Sequence, residues 1–550
     1  MGSLAPTNYQ HVVVRGPPYE RGLSHGQQAR AKILASLEHY SQPGKLLPWY
    51  VPSHSDATLM LRLYVYGEDQ LDVCRRIIRE VYIPGVEKFF PEALPEMQGI
   101  ADGAGVDLDK IVLLNARYDL ARVRGAGIRR CPVNEANESS FPLSAVDPVH
   151  KGNGNINGKS NGISHPVDIN DPSSLDHDLQ ECTAAGILAD ATADGSVLLA
   201  QNWDMSASVY TNDTALLLEV HPHPDEGVPA MFLVTEAGQL GRSGINAAGL
   251  AVCACSLMST EDYFPLAVED DDDNDNDNVK TSGDGGGGGG DDAGDGDGGT
   301  GYADKSAASS LSRSGRPWAV HQQPLLPMTL MRRQFLHNTN FSNGLINIRN
   351  APRHVSNRLV VGTADNFVLN MEVTPSSVHL AYPYAASSSS SSSGTSTPAG
   401  DVPYVVGANH FANPAFHASG WADRNPGGST WFRDVRVAWG LRRGMGAGGG
   451  SKMAMMERGK VASEDGAKSG LLTGKDVTNA FCDHLSAPSS VCQHMEDCTV
   501  RGVPDYPYRG RQITLAHVRY DLTRRTATVC KGPPCMGIFG EFSIPAVADC

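Results

Sequence analysis

Residues 181 to 204, ECTAAGILADATADGSVLLAQNWD, constrain this chain more than any other stretch. Two apolar runs, Thr183 to Leu188 and Val197 to Gln201, flank Ala193-Asp194-Gly195, and Asp-Gly between apolar runs is a strong hairpin signal. Folding about residue 193 brings positions 182 and 204 to one end of the strand pair, where cross-strand neighbours lie roughly 5 Å apart. The spacing therefore predicts that the Cys182 thiol and the Asp204 carboxylate meet at the end of a β-hairpin.

That juxtaposition suits one mechanism. If the Glu181–Cys182 peptide bond is hydrolysed, the new α-amine, with an unperturbed pKa of about 8, becomes a general base beside the thiol, and Asp204 can orient it. A thiol must lose its proton to attack, and a positioned amine removes it without a histidine. The cut can be autocatalytic, with Cys182 attacking the Glu181 carbonyl to give a thioester that water opens. A polar loop just upstream leaves a new terminus free to move. Taken alone, a cysteine entering a strand is a small buried hydrophobe.

The rest of the chain divides by texture. Segments 134–178, 269–316, 387–393 and 444–470 lack the apolar residues that offset ordering entropy, and they are expected as linkers or disordered inserts, the third continuing to residue 400. The first 133 residues are expected to be helical: 29–40, 59–81 and 93–103 carry apolar residues at three- and four-residue spacing, with Pro84 and Pro91 as breaks. A polar linker, 134–181, follows. From residue 182 to 550, short apolar runs between turn residues predict strands at 197–201, 215–220, 230–234, 250–254, 358–361, 367–373, 513–520 and 526–530, with helices at 327–338 and 430–443. This is an α+β pattern without internal repeats.

Composition excludes several functions. Of a net charge of -16, most sits between Glu269 and Asp297, where twelve acidic residues face one lysine, and no basic stripe offers itself to nucleic acid. No run approaches the ~18 apolar residues of a membrane span, the N-terminus has no secretory pattern, and the C-terminus is no peroxisomal tripeptide, so a cytoplasmic protein is expected. The 11 cysteines are irregularly spaced without paired C-x-x-C, which predicts neither a disulfide framework nor a zinc site. Cys253 and Cys255 alternate in an apolar run and are expected in the core. Asp273, Asp275, Asp277 and Asp284 imitate a calcium loop, but Asn278 stands where the turn needs glycine. His221-Pro-His223 is expected to close a hairpin, Gly152-Asn-Gly154 to be loop, and no Gly-x-Ser-x-Gly elbow occurs. No metal site and no cofactor are expected.

Six short motifs occur in order along the chain: Gly16-Pro-Pro-Tyr-Glu-Arg-Gly-Leu-Ser-His25-Gly26; Val112-Leu-Leu-Asn-Ala-Arg117-Tyr-Asp119; Cys182-Thr183 with Gln201-Asn202-Trp203-Asp204; Thr235-Glu236-Ala237-Gly238 with Gly244-Ile245-Asn246-Ala-Ala-Gly249; Gly407-Ala-Asn409-His410; and Tyr520-Asp521 through Thr528. Together they resemble the fungal acyl-coenzyme A:isopenicillin N acyltransferase family of secondary metabolism, whose members are Cys N-terminal nucleophiles. The resemblance implies a four-layer αββα sandwich, made by cleavage into an α chain ending at Glu181 and a β chain beginning at Cys182. It implies Cys182 as nucleophile, Asp204 as its support, Asn409 donating its amide to the oxyanion, and Asn246 completing that site. Gln201, Thr183 and Thr235 would line the substrate. The implied partners are a small acyl donor, acyl-coenzyme A among the possible substrates, and an amine acceptor.

Two positions depart from the family pattern. Glu181 is bulky and charged where a small residue precedes the nucleophile, and Ser490-Val491-Cys492-Gln493 has glutamine where the family carries arginine, for which Arg501 is a possible substitute. Three functions remain open at this point: an N-acyltransferase, an amidase with water as acceptor, and an uncleaved, inactive relative that binds a ligand through the same scaffold.

Overall fold

A computed structural model describes residues 8–42, 45–46, 70–122, 181–266, 323–384, 402–425, 427–446, 470–495 and 512–544. The expected inserts lie outside these residues, apart from Gly444–Gly446 and Gly470 at the ends of the last, and so does the first half of the expected 59–81 helix. Met1–Gly127, Ile163–Pro265 and Gln323–Cys550 form one compact unit; a second, Ile128–Gly162 with Leu266–Gln322, lies outside the described residues except for Leu266.

The first unit contains two sheets. The larger runs in the order β1 (Gln10–Gly16), β4 (Ala215–Pro222), β5 (Met231–Glu236), β6 (Ser243–Asn246), β7 (Leu250–Ser256), β8 (Asn357–Thr363), β9 (Phe367–Val373) and β10 (Val378–Ala381). The smaller runs β11 (Tyr404–Gly407), β2 (Glu181–Ile187), β3 (Leu198–Ser206), β12 (Gln512–Asp521), β13 (Thr526–Lys531) and β14 (Phe539–Ser543). Side chains alternate across a strand, so β2, β3 and β11 of the smaller sheet each serve two cores. Cys182, Ala184, Leu199 and Trp203 face one way and pack with Leu217, Val234, Ile245 and Val360 of the larger sheet. Ala185, Ile187, Leu198 and Ala200 face the other way, onto Val437 and Leu441 of the helix Thr430–Gly444 and Val477 and Ala480 of the helix Gly474–Ala480.

The N-terminal part is not wholly helical. Its Val12 and Val14 are buried in β1, which joins the edge of the larger sheet parallel to β4. A seven-residue run with a polar residue at each end gives little periodic signal, and only the tertiary partner makes it a strand. Nor does Pro84 end a helix. A π turn, Ile78–Tyr82, with Ile83 N–H bonded to Ile78 O, leads directly into the helix Ile83–Phe89, and this widened turn accommodates Pro84 without a break. Among the described residues no helix is long and apolar enough to cross a membrane.

The helices Pro18–Gln28 and Ala93–Ala104 touch backbone to backbone through glycines at four-residue spacing. A Cβ on Gly22 would sit 2.0 Å from the Glu96 carbonyl oxygen, one on Gly26 2.3 Å from that of Ile100, and one on Gly99 2.1 Å from that of Tyr19. The arginine between them, Arg21, is fully buried, with Nε 2.7 Å from Glu96 Oε2. Gly99→Ala is expected to cost at least about 2 kcal/mol of stability, read as a lower denaturant midpoint. Gly195→Asn is expected to leave the midpoint unchanged, because that position has open space and a positive φ that asparagine tolerates.

Candidate active site

Strands β2 and β3 pair antiparallel with Cys182 opposite Trp203 and Glu181 opposite Asp204. The register is one residue away from a symmetric fold about residue 193. Residues 188–197, with a short 3-10 turn at Ala189–Ala191, make the connection instead of a two-residue turn. The slip matters chemically: Cys182 and Trp203 share the inner face, and Asp204 is out of phase with the sulfur. The Asp204 backbone N–H donates to the thiol, while its carboxylate Oδ1 accepts from Thr514 Oγ1 at 2.6 Å.

The nitrogen of Cys182 is held by the Asn-His segment. It donates to Asn409 Oδ1 at 2.8 Å, and the Asn409 amide nitrogen donates to Ser256 O and Oγ at 2.9 and 2.8 Å. Asn409, expected as a donor to an oxyanion, thus meets Cys182 as an acceptor for the atom that cleavage would turn into an amine. Arg433 fixes this arrangement. It donates through Nη2 to Asn409 Oδ1 at 2.7 Å, and through Nη1 to the Cys182 carbonyl at 2.5 Å and Thr183 Oγ1 at 2.9 Å.

The sulfur is 1% exposed, and burial alone raises a thiol pKa. Here burial is outweighed by a hydrogen bond from the Cys255 thiol, the charge of Arg242, the Asp204 N–H and the charge of Arg433, which bring Cys182 down to about 6. Cys255 is buried as expected of a core residue, but it is also a hydrogen-bond donor to Cys182, and burial followed by that bond pushes its own pKa well up. Arg242 also donates to the sulfur, and its Cζ lies over the Trp203 ring, 3.9 Å from the centroid.

The N-terminal motifs converge on the segment that presents Arg242. Gly238 N–H donates to His25 Nε2 at 3.2 Å; Asn115 donates to Gly238 O and accepts from Leu240 N–H, both at 2.9 Å. Arg117 pairs with Glu236, whose other oxygen accepts from the Tyr40 hydroxyl at 2.8 Å. Burial, then the charge of Arg333, lowers His25 to about 3, so it accepts here as a neutral ring.

The remaining predicted residues have partners of their own. Gln201 spans Ser243 Oγ and the Ala254 carbonyl. Thr235 Oγ1 is 3.5 Å from Gln239 Oε1. Asn246 gives both amide hydrogens to the carbonyls of Leu336 and Asn338, each at 2.8 Å, and accepts from Leu250 N–H at 2.9 Å, so it closes a turn beside the helix Met328–Leu336. Arg501 lies outside the described residues.

Sequence reasoning missed Arg242, Arg433 and the role of Cys255. Arg433 left a signal: it falls on the 430, 433, 437, 441 stripe of its helix, an arginine at a core position, which is rare unless paired. Arg242 left none beyond its place two residues before Gly244-Ile-Asn246.

No family model matches the chain. Among solved structures it is similar to a mutant conjugated bile acid hydrolase from Clostridium perfringens, at 11% identity over 66% of this chain and 98% of that one with a TM-score of 0.30. It is similar also to a variant of that hydrolase, at 9% identity over 67% and 99% with a TM-score of 0.29. Superpositions this loose establish neither a shared fold nor a shared activity.

The geometry predicts an ionised thiol at neutral pH. The ultraviolet thiolate absorbance that wild type shows and Cys182→Ala lacks is expected to titrate with a midpoint near 6. Arg242→Leu is expected to move that midpoint up by about 1–3 units. A wild-type midpoint at the ordinary thiol value would refute the reading.

Proposed function

We propose that this chain is a self-processing Cys N-terminal-nucleophile enzyme of αββα layering that transfers or hydrolyses the acyl group of a small amide or thioester. One observation carries the reading: at Cys182 a sulfur held toward its anion and a backbone nitrogen held by Asn409 Oδ1 belong to the same residue, directly after the bond to be cut. The layering draws support from the two sheets and from the helices on the outer face of the smaller one.

In the processing step the Cys182 thiolate attacks the Glu181 carbonyl carbon. The carbon–nitrogen bond breaks, the departing nitrogen takes a proton, and a thioester to the sulfur remains. Water then releases the Glu181 carboxylate and restores the thiol. In turnover, the Cys182 thiolate attacks the carbonyl of the acyl donor, the free α-amine, which holds the proton given up by the sulfur, passes it to the leaving group, and an amine or water takes the acyl group from sulfur. Asn409 Oδ1 accepts one hydrogen of that amine and thereby directs its lone pair. Arg242, which donates to the sulfur, is placed to reach an oxygen on the carbon that the sulfur attacks, where a preorganised donor is worth about 3–4 kcal/mol. Acyl-coenzyme A fits as a thioester donor.

Full-length protein is expected to run as two fragments of roughly one third and two thirds of the chain, with Cys182→Ala staying intact. N-terminal sequencing of the larger fragment should read Cys-Thr-Ala-Ala-Gly. Capture of the acyl group by added amine in competition with hydrolysis makes the protein a transferase, and release to water alone makes it an amidase. A wild-type chain that stays intact and forms no acyl adduct defeats both.

A further inference from the structure

Four metal-ligand side chains meet in a cluster formed by two segments of the smaller-sheet region. They are His484, beyond the helix Gly474–Ala480; Cys492 and His494, further along the same stretch; and Cys535, between β13 and β14. Their donor atoms all lie within 4.8 Å of one another. Cys492 Sγ and Cys535 Sγ are 3.6 Å apart, His494 Nε2 lies 3.5 and 3.4 Å from them, and His484 Nε2 lies 3.0 Å from His494 Nε2.

These four separations are close to edges of a tetrahedron around one ion, and the two from His484 to the sulfurs are within 4.8 Å. With zinc–sulfur bonds of about 2.3 Å and zinc–nitrogen bonds of about 2.0–2.1 Å, tetrahedral ligands stand about 3.8 Å apart for two sulfurs, about 3.5 Å for sulfur and nitrogen and about 3.3 Å for two nitrogens. Hydrogen bonding does not explain the cluster as well. A ring nitrogen has either one hydrogen or one lone pair, yet His494 Nε2 has three neighbours within 3.5 Å. A cation at the centre serves all four groups at once. The sulfurs are also well beyond the ~2.05 Å of a disulfide.

We propose that His484, Cys492, His494 and Cys535 bind one zinc ion in a closed Cys2His2 site with a structural role. Four protein ligands leave no open position for substrate, unlike a catalytic zinc. No C-x-x-C spacing announces the site, because only Cys492 and His494 are close in sequence. The binding loop is joined to the nucleophile. Gln493, between two ligands, donates its N–H to Thr514 Oγ1 at 2.9 Å and accepts from Thr514 N–H at 3.1 Å, and the same hydroxyl donates to Asp204. The zinc assignment stands on its own residues, whether or not Cys182 is cleaved.

The test is metal analysis of full-length protein purified without chelator, followed by stripping and titration with cobalt(II). About one zinc per chain and the intense visible bands of tetrahedral thiolate-bound cobalt are expected, with a lower melting temperature for the stripped protein. Cys535→Ala, at the exposed ligand, and His494→Ala should each lose stoichiometric metal. A metal-free wild type whose stripped form gives no tetrahedral cobalt spectrum overturns the proposal. So does a Cys492–Cys535 disulfide, or full metal retention in both variants.

Discussion

A sulfur anion inside a two-sheet core is stable only if positive charge is buried with it. Cys182 is sealed from water, and the effective penalty for burying an ion is several kcal/mol even after relaxation. Arg242 and Arg433 meet that penalty from two sides, one on the sulfur and one on the neighbouring carbonyl. The dependence runs both ways. Burial pulls the pKa of Arg242 down, and the Cys182 anion is foremost among the groups that push it back up. The Cys182 sulfur and the two cations are therefore one electrostatic unit, and removing the sulfur alters the arginines as well.

Holding Arg242 in place is work for the N-terminal helices. His25, Asn115 and Arg117 grip residues 236–240 by hydrogen bonds and an ion pair, and all three precede Cys182 in sequence. The helix that carries His25 is fastened in turn by the glycine contacts to the helix Ala93–Ala104 and by Glu96 of that helix, which takes both Arg21 and Arg333. A chain cut before Cys182 would thus keep its N-terminal piece by packing and buried charge, and that piece would still position a residue beside the nucleophile. Arg21-Gly22 and His25-Gly26 are linked by structure: the small residues permit the approach that buries the polar ones.

Most strands between Leu198 and Lys531 were legible in the sequence, because alternating apolar residues bounded by turn residues have one good reading; 367–373 matches β9 residue for residue. The hairpin was legible too, but its register was not. A loop at 188–197 in place of a tight turn shifted the pairing by one, and that moved Asp204 from facing the thiol to touching it through its backbone. β1 escaped because its partner, β4, lies some two hundred residues away. Asn409 was identified by motif, yet its role as acceptor depends on Arg433 and Ser256, which only the fold brings beside it. Asn246 shows the reverse: its motif marks a turn that the fold needs, with both amide hydrogens already used. Apart from Arg433 on its helical stripe, the polar partners of this site are buried by tertiary contacts that leave no periodic trace.

Gln493 shows how a missing side chain can leave a backbone role intact. The pairing of β12 with β3 shifts between Thr514 and Ala516, and such a bulge re-aims the side chains around it. Thr514 stands opposite Asp204 and its hydroxyl faces two neighbours. Gln493 N–H can only donate, so the hydroxyl accepts there, and its single hydrogen is left for Asp204 Oδ1. The direction of the chain is therefore fixed from Gln493 through Thr514 to Asp204. Because the Gln493 contribution is a backbone N–H and carbonyl, it does not depend on which side chain stands at 493. What it depends on is the course of the backbone between Cys492 and His494, the two residues whose side chains converge on the four-ligand cluster.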